Sequence, residues 1–181
     1  MAKDTIRISK LEAARRQLRT AITLWFTGGE PVAVHTLAFA AYEILHHLSE
    51  KRDPTRRDLL FDTATVKDEY RKEWNQLVRK EANFFKHADR DGDSIIEFNP
   101  KITEYFILFA IAARELCGEA RTDEESIFSW WLRVNRSEML SDKGSELLAK
   151  QMPIDSLKHI QATPKHEFFE RCLKAFRTVS A

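Results

Sequence analysis

The stretch PVAVHTLAFAAYEILHHLS, residues 31–49, is apolar around most of the circumference of a helix. A helix of that kind is covered on nearly every side, so the stretch predicts the centre of a helical domain. Pro31 suits the first turn of this helix, because the N–H group that proline lacks is unpaired there in any helix. Residues 100–117 are more apolar still and predict a second central helix.

Two amphipathic segments flank this central pair. Apolar residues recur at helical spacing over residues 9–27, and residues 65–88 are charged at first and apolar towards their end. Strand-like alternation is absent from the sequence, since IIEF at 95–98 is too short to indicate a strand. We therefore predict an all-α fold with a four-helix-bundle core over residues 1–120. Additional short C-terminal helices over residues 121–181 are predicted to pack on the same domain.

The composition excludes several classes of function. With 29 basic and 28 acidic side chains, the formal net charge is +1, so no field of a single sign attracts nucleic acid or an anionic membrane. The uncharged runs are shorter than the ~18 residues that a membrane span needs. Cys117 and Cys172 lie too far apart in sequence to form a metal or redox motif. We expect a cytoplasmic protein with reduced thiols and no membrane partner.

The loop FKHADRDGDSIIEFNP, residues 85–100, resembles the start of a calcium-binding loop. Carboxylates stand at the first, third and fifth positions, as such a loop requires, but its twelfth position is Pro100, which offers no bidentate carboxylate. One interpretation is a divalent-cation site with the ligands Asp89, Asp91, Asp93 and Glu97. The alternative is a plain turn, in which Asp91 and Gly92 reverse the chain after the third helix.

The predicted third helix also carries a candidate catalytic set. Arg79, Asn83 and His87 follow one another at intervals of four residues and would share one face of a continuous helix. Arginine stabilises charge that develops on a phosphate, and histidine transfers a proton near neutral pH. The spacing therefore indicates phosphodiester chemistry. The alternative is a solvated helix face, since histidine is also favoured near a helix C-terminus for electrostatic reasons.

The segment from Asn83 to His87 resembles part of the motif of HEPN domains, which are helical bundles. In that motif an arginine, often followed by a polar residue, precedes a histidine by a few positions. The resemblance implies a metal-independent ribonuclease of a bacterial toxin or defence system, with its motif at a dimer interface. Ala82 stands where the motif places arginine, and Arg79 lies further upstream than the usual spacing. The longer segment NFFKHADRDGDSIIEFNP is also similar to segments of small uncharacterised bacterial proteins.

Histidines on the central helix give a further pattern. Glu43-x-x-His46 has the spacing that di-iron helical bundles use twice, but the sequence contains no second pair of this kind. We therefore expect His35 and His46 to be polar groups of the core or of an interface.

Aromatic residues indicate self-association. ESIFSWWLRVN, residues 125–135, is apolar over more than half of a helix, so part of it covers the bundle or forms a homodimer interface. The sequence therefore favours a non-catalytic, dimeric interaction module, with RNA or another protein as a further partner and no cofactor. The HEPN-like ribonuclease and the divalent-cation-binding protein stay open as alternatives.

Overall fold

The computed structural model describes residues 5–55, 59–61, 63–87 and 92–179. Within these ranges the chain forms α-helices and two short 3-10 helices, Asp68–Tyr70 and Ser137–Met139, and no strand. The α-helices are α1 (Lys10–Thr27), α2 (Pro31–Arg52), α3 (Arg71–Val78), α4 (Lys80–Phe84), α5 (Ile102–Leu116), α6 (Asp123–Asn135), α7 (Asp142–Gln151), α8 (Ile154–Ala162) and α9 (Lys165–Val179). The predicted all-α fold is confirmed.

The chain divides into two compact units. The first consists of Met1–Ala21 and Glu30–Ala120, and the second of Ile22–Gly29 and Arg121–Ala181. Helix α1 therefore contributes its first turns to the first unit and its last turns to the second. The packing of residues 121–181 on the same domain as residues 1–120 stays a prediction.

Helices α2 and α5 form the centre of the first unit. Phe39 and Tyr42 of α2 and Phe106 and Ile107 of α5 are almost completely inaccessible to solvent. The Phe39 and Phe106 rings lie 5.2 Å apart, with their planes inclined by 61°. This tilted arrangement of neighbouring rings is one that aromatic side chains favour. Burial of this pair agrees with the prediction drawn from the apolar character of both segments.

The prediction of a single helix over residues 65–88 is wrong, because the helix is interrupted at Arg79. Arg79, with φ −92° and ψ −3°, is both the C-cap residue of α3 and the N-cap residue of α4. Its guanidinium is held by Glu43 of α2, 36 positions earlier in the chain. Helix α4 then ends at Phe84, before His87. A contact over that sequence distance gives no signal in the local periodicity.

An aromatic cluster forms the core of the second unit. The ring centroids of Trp25 and Trp131 are 4.6 Å apart, and the Phe26 ring stacks on Phe169 at 4.5 Å. Phe128 of α6 lies against Trp25 at 5.2 Å. Much of the apolar surface predicted for residues 125–135 is therefore core of the second unit. No helix in the described ranges has both the length and the hydropathy that crossing a bilayer requires.

Candidate functional site

Arg79, the predicted phosphate-binding residue, is engaged within the first unit. Its Nη1 donates to Oε1 of Glu43 at 2.6 Å, and its guanidinium carbon lies 4.2 Å from the centre of the Phe61 ring. An arginine held by a carboxylate and an aromatic face is both neutralised and fixed in orientation. To contact a phosphate, it would have to leave both partners.

Asn83 and His87, the other predicted catalytic residues, have exposed side chains. The backbone N–H of His87 donates to the carbonyl oxygen of Asn83 at 3.1 Å, in the turn that ends α4. The backbone N–H of Asn83 donates in turn to the carbonyl oxygen of Arg79 at 2.9 Å, so the three residues still follow one another by one turn, although α3 and α4 are separate helices. The guanidinium of Arg79 bonds to Glu43, not to the side chain of Asn83 or His87. The three catalytic roles stay predictions.

The predicted calcium ligands fall partly outside the described residues, since this is where Asp89 and Asp91 lie. Asp93 and Glu97 are exposed and belong to a segment without regular structure. Neither carboxylate belongs to a group of three metal-ligating side chains in the part of the chain that the structure describes. The cation site at this loop therefore also stays a prediction.

His35 is a buried polar group of the first unit, as the sequence predicts. Its Nδ1 lies 3.0 Å from the Thr103 hydroxyl, and its Nε2 has no hydrogen-bond partner among the described residues. The rings of Phe98 and Phe106 both approach the imidazole to 5.1 Å. Burial, and secondarily the positive charge of Lys86, lowers the pKa of His35 from 6.5 to about 4. His35 is therefore neutral at physiological pH.

One face of α2 carries four side chains of residue types that can ligate a metal. Residues 43, 46, 47 and 50 fall within an arc of about 100°, because successive residues of an α-helix are rotated by about 100°. His46, His47 and Glu50 can each place one ligand atom so that all three lie within 4.8 Å of one another. His46 is 5% exposed, whereas His47 and Glu50 are exposed to solvent. Within the described ranges this is the one group of its kind.

Glu43 is committed elsewhere, since its carboxylate accepts the hydrogen bond from Arg79. The sequence pattern Glu43-x-x-His46 pointed to this helix face, but the carboxylate of Glu43 bonds to Arg79. The missed signal was local: His46 and Glu50 are four residues apart, His47 and Glu50 three, and such pairs are neighbours on a helix surface.

Comparisons of the chain with protein-family models, with curated proteins and with solved structures found no match.

Proposed function

We propose that the protein is a non-catalytic helical interaction module that forms a homodimer through one face of the segment 68–78. The supporting observation is the exposure of Tyr70 and Leu77, which are 54% and 62% exposed. They stand seven residues apart, or about two helical turns, and so share one face of the segment. We call these two side chains the α3 patch.

The α3 patch has the composition of an interface centre. Tyrosine is enriched in protein interfaces, and fully burying a large apolar side chain contributes about 1.5–3 kcal/mol. In a twofold-symmetric dimer the same patch lies on both subunits, so Leu77 of each copy can pack against Tyr70 of the other in an antiparallel arrangement. Trp74, between them in sequence, donates its indole N–H to the Leu60 carbonyl at 2.7 Å, which anchors the patch to its own subunit.

The charges around the α3 patch suit a second copy of the chain. Exposed side chains of both signs flank it, namely Glu69, Lys72, Glu73 and Lys80. Antiparallel pairing can therefore place acidic groups opposite basic ones. The formal net charge of +1 adds little repulsion between two copies.

The contacts of Arg79 favour a non-catalytic module over the HEPN-like ribonuclease. A positive charge that is free to face the phosphate stabilises the charge that develops on it during phosphodiester cleavage. Here the guanidinium of Arg79 is bound to Glu43 and lies over Phe61.

Sedimentation velocity or light scattering over a range of protein concentrations tests the dimer. We expect the wild type to be dimeric at about 100 µM, and Leu77→Glu to raise the dissociation constant by at least about tenfold, because each dimer would bury two unpaired charges. Leu147→Glu on α7 is the matched control, because Leu147 is also exposed, at 48%. A monomeric wild type, or equal effects of the two substitutions, contradicts the proposal.

Incubation with RNA in EDTA tests the non-catalytic part of the proposal. We expect the wild type and His87→Ala to leave the RNA equally intact. Cleavage by the wild type that His87→Ala abolishes would establish the ribonuclease instead.

A further inference from the structure

We propose that the C-terminal half of α2 binds a divalent transition-metal ion through His46, His47 and Glu50. This site goes beyond the proposed interaction function, since no residue of the α3 patch belongs to it.

The geometry of the three side chains is close to that of a metal centre. Nδ1 of His47 lies 3.4 Å from Oε2 of Glu50. In a tetrahedral zinc site with metal–ligand distances of about 2.0–2.1 Å, neighbouring ligand atoms are about 3.3 Å apart. The His47–Glu50 pair therefore already has the required separation. The ligand atoms of all three side chains lie within 4.8 Å of one another, so an approach of about 1.5 Å by the exposed His47 and Glu50 side chains brings them to tetrahedral separation around His46.

One ligand of the site is held in place while the other two can adjust. His46 is buried against aromatic neighbours, with its ring 5.1 Å from Phe61 and 5.9 Å from Tyr42. His47 and Glu50 are exposed, so their side chains can reorient around an ion without disturbing the core. Two solvent-facing ligands also leave the fourth tetrahedral position accessible to water, as in open zinc sites.

The position within the helix also favours a cation. His46, His47 and Glu50 lie in the last two turns of α2, which ends at Arg52, and the C-terminal end of a helix carries partial negative charge. Lys51 and Arg52 bring positive charge to the same turns. Arg52, however, lies on the opposite side of α2, with Nη1 3.2 Å from the Cβ position of Gly118 after α5.

The donor set selects the class of metal. Two imidazole nitrogens and one carboxylate suit zinc, nickel, cobalt or copper, whereas calcium and magnesium prefer oxygen ligands alone. Glu43 would supply a second carboxylate from one turn earlier, but its carboxylate accepts a hydrogen bond from Arg79 at 2.6 Å. The ligand set is therefore poorer in carboxylates than a di-iron centre.

Calorimetric titration of the tag-free protein with ZnCl2, and visible absorption of its Co²⁺ complex, test the site. The variants are His47→Ala and Glu50→Gln, which replace exposed side chains and leave the core intact. His166→Ala is the matched control, since His166 is an exposed histidine of α9. We expect one ion per chain, at least about tenfold weaker binding in both test variants, and unchanged binding in the control.

Two results would overturn the inference. One is the absence of saturable binding of Zn²⁺ or Co²⁺ by the wild type. The other is binding that persists unchanged in both His47→Ala and Glu50→Gln, which would place the ion elsewhere. Circular dichroism of each variant without metal checks that the fold is retained, so that weaker binding reports the loss of a ligand.

Discussion

Acidification should destabilise the first unit through His35. This side chain is wholly buried, and its pKa is lowered from 6.5 to about 4, mainly by burial and secondarily by the charge of Lys86. Between these two pH values the unfolded chain binds a proton at His35 that the folded chain does not bind. The free energy of unfolding therefore falls as the pH decreases from about 6.5 to about 4.

The magnitude follows from the difference between the two pKa values. At about 1.36 kcal/mol per pH unit, the interval from 6.5 to about 4 corresponds to a loss on the order of 3 kcal/mol. That is a large part of the 5–15 kcal/mol by which domains are typically stable.

Urea unfolding at a series of pH values from about 7 to about 4 measures this loss, in the wild type and in His35→Gln. Glutamine does not titrate, and it retains a polar group within reach of Thr103. We expect the variant to be less stable at pH 7, because the new side chain fits the ring-lined pocket less well. Its stability should nevertheless depend less steeply on pH, by up to about 1.4 kcal/mol per pH unit between pH 6.5 and 4.

Carboxylates titrate in both proteins, so the difference between the two pH profiles isolates His35. Parallel profiles for the wild type and His35→Gln would show that His35 is protonated in the folded protein as readily as in the unfolded chain. That outcome would refute the reasoning from burial.

Two further predictions concern the second unit. Phe26→Ala should lower the free energy of unfolding by about 3–5 kcal/mol, because Phe26 is wholly buried and stacks on Phe169; chemical denaturation measures it. The control is Phe176→Ala, at a side chain that is 37% exposed, and it should lower the free energy of unfolding much less. Equal losses of stability in the two variants would contradict the assignment of Phe26 to the core. Gly28→Ala should cost about 1 kcal/mol, since Gly28 has φ +75° and open space around the Cβ position. An unchanged melting temperature in Gly28→Ala would show that the turn relaxes at no cost.

Local sequence predicted those parts of the fold that depend on burial along a single helix. Residues 31–49 and 100–117 are apolar on nearly all sides, and helices α2 and α5 form the centre of the first unit. The third helix was wrongly predicted as continuous: it is interrupted at Arg79, whose side chain contacts Glu43, 36 positions earlier in the sequence. Periodicity reports which residues share a face, but it does not report which partner that face meets.

The candidate sites show the same limit. The catalytic roles of Arg79, Asn83 and His87 were inferred from a continuous helix; the helix is interrupted at Arg79, whose guanidinium bonds to Glu43, and the three roles stay predictions. The grouping of His46, His47 and Glu50 needs only the local geometry of α2 and could have been predicted from the sequence. The exposure of Tyr70 and Leu77 could not have been predicted in this way, because large apolar residues of an amphipathic helix are expected on its covered face.

The hydrogen bond between Arg79 and Glu43 occupies two side chains that candidate sites in the first unit would use. A guanidinium 2.6 Å from a carboxylate oxygen and 4.2 Å from a ring centre is neutralised, so it offers little to a developing phosphate charge. The same hydrogen bond occupies the carboxylate that would pair with His46 in a di-iron arrangement. His46 is then left with His47 and Glu50 as neighbours on its helix face, two nitrogens and one carboxylate in all. That set disfavours calcium and magnesium at this helix face and favours the proposed transition metal.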